Sequence, residues 1–259
     1  MSDSPKRIGI AADHGGPTTT SKPVPSRLYL IGHGETGWSL SGQYTGRADI
    51  PLAAHGKDAA REFGQRLRGI PFAYMLTSPL QRAQQICALA GLGPTPEIEP
   101  DLAEWDHRDD EGSTLSDIIE TRPDWNLFRN GSPRGETPAQ IYNRADRLIA
   151  SLRMLAGNVA LFSHGDFGRV LAARWIGLRA EQAQHLLLST ASVSVLCYNR
   201  DLINEPAIAL RHFAAYETFD QEPDPGAGDT MSMKQLTIER WENEGGYIPQ
   251  PAQSESELS

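Results

Sequence analysis

Two histidines in this chain are each followed by glycine at the end of a short apolar run. One run is Leu28-Tyr29-Leu30-Ile31, leading to Gly32-His33-Gly34; the other is Val159 to Phe162, leading to Ser163-His164-Gly165. Imidazole titrates near neutral pH and serves as nucleophile, acid or base. Short apolar runs stopped by glycine read as buried strands. In open α/β sheets ligands bind at the carboxyl ends of strands. One His-Gly pair alone is as readily an ordinary loop histidine. Two at matched positions predict that His33 and His164 share one crevice, with both glycines letting the backbone approach a ligand closely.

The intervening sequence supplies elements that can hold such a crevice. Ala60, Phe63 and Leu67 recur at helical spacing, with Gly69 as the stop. Ala73 to Leu76 reads as a strand and residues 80–90 as a helix. Ser113 and Thr114 open a shorter helix containing Leu115, Ile118 and Ile119. Thr137-Pro138-Ala139-Gln140 combines a cap, a proline at the first helical position and the glutamine of a capping box. Ile141, Ala145, Leu148 and Leu152 then form one apolar face. Phe167 to Ile176 reads as a helix, and Ser192 to Tyr198 and Ala207 to Leu210 as closing strands. This alternation predicts an α/β three-layer sandwich, a mostly parallel central sheet with helices on both faces.

The chain has 259 residues, enough for one large domain with tails, and 39% of them are hydrophobic. Its net charge of −9 argues against general nucleic-acid or anionic-membrane binding, so a site for an anion must gather positive charge locally. Cys87 and Cys197 lie in apolar stretches and read as buried thiols, without metal-ligand spacing. Neither a signal peptide nor a membrane span is visible, which reads as a cytoplasmic protein. Three segments are expected: an N-terminal extension over 1–26, a domain over 27–212, and an acidic, mobile tail over 213–259 interrupted by a short helix from Met233 to Glu242. A homo-oligomer is left open.

Five ordered blocks between Arg27 and Leu210 resemble the histidine phosphatase superfamily, also called phosphoglycerate mutase-like. They are Leu30 to Thr36 (LIGHGET), Tyr44-Thr45-Gly46 through Pro51-Leu52, Thr77 to Ala83 (TSPLQRA), Leu102-Ala103-Glu104-Trp105, and Ser163-His164-Gly165. Pro123 to Asn126, Gly135-Glu136-Thr137 and Leu171 to Trp175 look like a branch acting on sugar phosphates. The resemblance implies a phosphomonoesterase for a small phosphorylated metabolite, working without metal or cofactor. His33 would form a phosphohistidine, Glu104 would act as general acid and then base, and Arg82 and His164 would hold the phosphoryl group. Thr45, Gly46, Glu136, Asp166 and Arg169 would contact substrate. Arg47, by contrast with Thr45 and Gly46, reads as plain surface. The stretch Arg7 to Gly16 separately resembles the opening of type B ribose-5-phosphate isomerases, over about ten residues only and without the rest of that domain.

Three features depart from the family pattern. Gly32 stands where the family has an arginine before the nucleophile, so a phosphoryl clamp is missing; Arg169, and less readily Arg108, are the candidates to replace it. Asp166 places a carboxylate beside the expected phosphate, which is repulsive unless it is protonated or paired with a cation, Arg169 or Arg108. The segment His107 to Gly112 lacks the branch's usual aromatic and glycine content. These departures keep a second reading alive, a degenerate fold that binds a phosphorylated ligand or partner without turnover. A phosphoglycerate mutase ranks third, because the paired-arginine segment of such enzymes has no counterpart between Trp105 and Glu136.

Overall fold

A computed structural model describes residues 25–199, 202 and 205–209. The expectations for residues 1–24 and for the tail beyond 209, including the isomerase-like stretch and the helix at Met233, lie outside the described residues. Strands β1 (Pro25–Gly32), β2 (Phe72–Thr77), β3 (Glu97–Ile98), β4 (Gly157–Ser163), β5 (Val193–Tyr198) and β6 (Pro206–Ala209) form one sheet in the order β3-β2-β4-β1-β5-β6. The pairings β3-β2, β2-β4 and β4-β1 are parallel, whereas β1-β5 and β5-β6 are antiparallel. The sequence expectation of a mostly parallel sheet covered on both faces holds.

Alternation along the central strands sorts the core into two halves. Leu28 and Leu30 of β1, with Val159 and Leu161 of β4, face helices α6 (Pro138–Leu152) and α7 (Gly165–Trp175). Tyr29 and Ile31, with Ala160 and Phe162, face α2 (Ala54–Arg66) and α3 (Gln81–Ala90). Short helices α1 (Gly37–Leu40), α4 (Leu115–Thr121) and α5 (Leu127–Asn130) lie in the connections. Both β1 and β4 are covered on two sides, which explains their unbroken apolar runs.

Local signals account for the helix ends. Thr137 and Gln140 exchange the capping-box hydrogen bonds expected of α6, and Thr114 with Asp117 does the same for α4. Helix α2 stops at Arg66 rather than running to Gly69, which follows in a left-handed turn (φ 96°). Cys87 is buried, but Cys197 is only half-buried on β5, which corrects the expectation of two buried thiols. No helix among the described residues is long and apolar enough to cross a membrane.

Candidate active site

The strand order β2-β4-β1 places three loop starts side by side. Residue 32 pairs with Ser163 across the β1-β4 ladder, and Thr77 pairs with Phe162 across β2-β4. The His33 amide donates to Ser163 O (3.2 Å), and the Ser78 amide donates to Phe162 O (2.9 Å). His33 and His164 therefore meet, edge to face, with ring centroids 5.2 Å apart.

His33 Nδ1 lies 2.8 Å from Gly34 O. A carbonyl only accepts, so Nδ1 carries the proton and Nε2 keeps its lone pair. Burial, reinforced by the Arg82 charge, holds the pKa of His33 down at about 4, so the ring is neutral near pH 7. His164 is fully buried, and burial followed by the charges of Arg82 and His33 pushes its pKa well down. Its Nε2 lies 2.7 Å from Ser78 Oγ, while Nδ1 is out of water with no partner. Ser78 Oγ accepts from the Leu80 amide (3.2 Å) and can give its own proton to His164 Nε2. That arrangement leaves the ring proton on Nδ1, a buried donor in need of an acceptor.

Glu104 follows a single 3₁₀ turn, Pro100–Leu102, and is 6% exposed. Its Oε1 accepts from the Trp105 and Phe167 amides (2.8 Å each), and its Oε2 from the Asp166 amide (3.2 Å). Two of these amides belong to the first turn of α7, which favours the ionised carboxylate. Burial opposes this, the Asp166 charge adds to it, and the net direction is a raised pKa. Oε2, with one long contact, is the oxygen with most room for a proton.

Arg82 stands in the first turn of α3 and is fully buried. Its Nη1 donates to Ala48 O (2.9 Å) and its Nη2 to Gly46 O (2.8 Å), so the end of the expected fork already holds backbone. Nε is buried without a partner, which leaves the Nε side of the guanidinium for a ligand. Gly46 is buried in the left-handed region (φ 51°), and Thr45 O accepts from the Ala48 amide (3.0 Å). These contacts make residues 45–48 one tight wall.

Glu136 takes two hydrogen bonds from Arg144 (2.8 and 2.7 Å). The same guanidinium donates to Asp101 O, Ala103 O and Glu104 O, and so fixes the loop that presents Glu104. Asp166 lies 3.4 Å from His107 Nε2 and 3.3 Å from Arg169 Nη1, which answers the demand for a paired cation. Arg169 also donates to Ala183 O and Gln184 O, so all three of its nitrogens are engaged and none replaces the arginine absent at 32. Arg108 is 67% exposed and paired with Asp106, so it does not fill that place either.

Sequence reasoning passed over Ser78, His107 and Arg144. Arg144 sits three residues after Ile141 on the apolar face of α6, and a guanidinium inside an apolar stripe was the available signal. His107 gave no local signal. The reading of Gly34 also needs correcting. A Cβ at Gly34 would lie 2.7 Å from Gly56 O, so that glycine serves the packing of the His33 turn on α2, not ligand access. Around Gly165 the space is open. Among the described residues, no group of three or more His, Cys, Asp or Glu side chains is placed to hold a metal ion.

Fold and site together define an α/β protein with paired imidazoles, a buried arginine and a buried carboxyl at the ends of parallel strands. The chain belongs to the histidine phosphatase superfamily (branch 1), whose family model matches residues 28–205. It is 36% identical over 173 residues to an acid phosphatase of Mycobacterium tuberculosis, covering 65% of this chain and 85% of that protein. It is 31% identical to sedoheptulose 1,7-bisphosphatase of Saccharomyces cerevisiae, covering 71% and 92%. Among solved structures, that of an open reading frame product from Mycobacterium tuberculosis superposes with a TM-score of 0.68 at 32% identity, over 73% of this chain and 98% of the other. A putative alpha-ribazole-5'-P phosphatase from Escherichia coli gives 0.64 at 27% identity, over 73% and 97%.

Proposed function

We propose that this chain is a phosphomonoesterase for a small phosphorylated metabolite, with His33 as the nucleophile. The observation that carries the proposal is the state of His33: neutral, with Nδ1 tied to Gly34 O and the Nε2 lone pair left for attack. Nε2 forms a bond to phosphorus as the ester P–O bond breaks. The leaving oxygen takes the proton of Glu104, whose raised pKa suits an acid near neutral pH. Water then attacks the phosphohistidine, Glu104 takes a proton back, and Nε2 leaves with its lone pair. His164 Nδ1 and Arg82 Nε supply donors to the phosphoryl oxygens, consistent with their lack of partners in the protein. The relatives named as phosphatases, including sedoheptulose 1,7-bisphosphatase and adenosylcobalamin/alpha-ribazole phosphatase, support a phosphate ester of a sugar-like metabolite.

The test is phosphate release by purified protein across a panel of phosphorylated metabolites, with an alkaline denaturing quench to trap the acid-labile, base-stable phosphohistidine. Turnover is expected to persist in a chelator and to vanish in His33→Asn. Equal, negligible release by wild type and His33→Asn on every ester would instead favour the ligand-binding, non-hydrolytic reading that Gly32 suggests.

A further inference from the structure

We infer that Arg47 is the second phosphoryl-binding guanidinium of this site, taking the place of the arginine that Gly32 leaves missing; the inference rests on the phosphomonoesterase reading above. The argument begins with the backbone. The carbonyls on either side of Arg47, those of Gly46 and Ala48, are both gripped by Arg82. The Arg47 amide donates to Glu111 Oε1 (2.6 Å). Three charge-assisted bonds thus fix the residue from which the side chain springs, against the wall that Arg82 builds.

The side chain itself is uncommitted. Its Nε is out of water with no hydrogen-bond partner. Its ion contact is Glu136 at 4.0 Å, the outer limit of a pair, and Glu136 already takes two short bonds from Arg144. With 37% of the side chain exposed, the guanidinium sits at a mouth rather than in the core. The bonds from Arg82 to the carbonyls of Gly46 and Ala48 set Arg47 beside that buried guanidinium, and the Arg47 charge bears on both His164 and Arg82. Burial, and after it the like charge of Arg144, lowers the pKa of Arg47, while Glu136, Asp106 and Glu104 offset part of this, so the guanidinium is a partly desolvated cation that an incoming dianion can pair.

Elimination points the same way. Arg144 and Arg169 have every nitrogen engaged. Arg108, Arg122 and Arg134 are paired with Asp106, Asp110 and Asp109. Arg82 offers one side, and a transferring phosphoryl with three equatorial oxygens needs donors from a second direction. Arg47 supplies them through hydrogen bonds, without bond making of its own.

The experiment uses the full chain with p-nitrophenyl phosphate as substrate and inorganic phosphate as competing product. Wild type, Arg47→Gln, Arg47→Lys, Gly32→Arg, the Arg47→Gln/Gly32→Arg double variant and His33→Asn are compared. Arg47→Gln is expected to lower kcat by about 10²–10³-fold, the usual loss for one transition-state donor, and to weaken inhibition by inorganic phosphate. Arg47→Lys, which keeps charge without the fork, is expected to fall between. An added Cβ at position 32 would lie 3.3 Å from Ser189 O, a tight contact that a shift of a few tenths of an ångström relieves, so Gly32→Arg is expected to restore much of the loss in the double variant. The inference is overturned if Arg47→Gln stays within about threefold of wild type while His33→Asn is dead, a case that leaves the phosphatase reading standing. A loss seen only with substrates carrying a second anionic group, and not with p-nitrophenyl phosphate, also overturns it. Full activity in His33→Asn would remove the phosphatase reading itself, and this inference with it.

Discussion

Asp166 lies between His107 and Glu104: its carboxylate faces His107 Nε2 at 3.4 Å, and its amide donates to Glu104 Oε2 at 3.2 Å. His107 and Arg169 hold the Asp166 carboxyl below its usual range, and Asp166 in turn raises both His107 and Glu104. The carboxylate that reads as a liability in the sequence therefore adds to burial in raising the pKa of the neighbouring acid.

Replacing Asp166 with asparagine removes that charge while keeping the amide bond to Glu104. The Glu104 pKa is expected to drop, because the like-charge repulsion that raised it is gone. The proposed mechanism uses Glu104 in its protonated form, so the alkaline limb of kcat against pH is expected to move to lower pH. A pH–rate profile of Asp166→Asn beside wild type, on an alkyl phosphate, checks this; an unmoved alkaline limb contradicts it.

The nucleophile sets the opposite limb. His33 must be neutral to attack, and its pKa is about 4, against 6.5 for a free imidazole. Activity is thus expected to survive acidification through 6.5 and to fall only near 4. Stability behaves differently. Unfolded, His33 takes up a proton near 6.5, whereas folded it resists until about 4, so its contribution is full above 6.5 and declines as pH falls toward 4. Buried His164 shifts in the same direction. Denaturant titrations at several pH values are expected to show stability lost before activity.

The two His-Gly glycines are expected to respond differently to alanine. At Gly34 the added carbon meets Gly56 backbone, Cα at 3.0 Å and O at 2.7 Å, so the His33 turn or α2 must shift, at about 1–3 kcal/mol. At Gly165 the space is open and the residue opens α7, so alanine is expected to leave stability unchanged or raise it by about 0.5 kcal/mol. Thermal unfolding and kcat of the two single variants check the contrast.

Arg144→Met is expected to destabilise by about 3 kcal/mol, because it strands the Glu136 carboxylate and three loop carbonyls. Arg144→Lys keeps charge but cannot grip Glu136 with two parallel bonds, so its loss is expected to be intermediate. Urea midpoints measure both.

Much of the frame was legible before any coordinates. The runs ending at Gly32 and Ser163, the helix opening at Thr114, the capping box at Thr137, and the stripe through Ile141, Ala145 and Leu148 are local patterns, and local patterns determine elements. They are dictated by burial of one face and by unpaired helix-end amides, which any fold of this chain must satisfy. Strand β3 and helices α1 and α5 were not legible, being two to four residues long and too short for a period.

Pairing was decided only by the tertiary structure. His107 and Asp166, Ser78 and His164, Arg82 and the carbonyls around Arg47 are all remote in sequence and meet because β1, β2 and β4 end side by side. Residue type states what a side chain can do; burial and partners decide its charge state and which of its donors remain for a ligand. That is why Arg169 and Arg47, alike as letters, end with opposite assignments: one with every nitrogen bonded inside the fold, the other with a buried donor still unmatched.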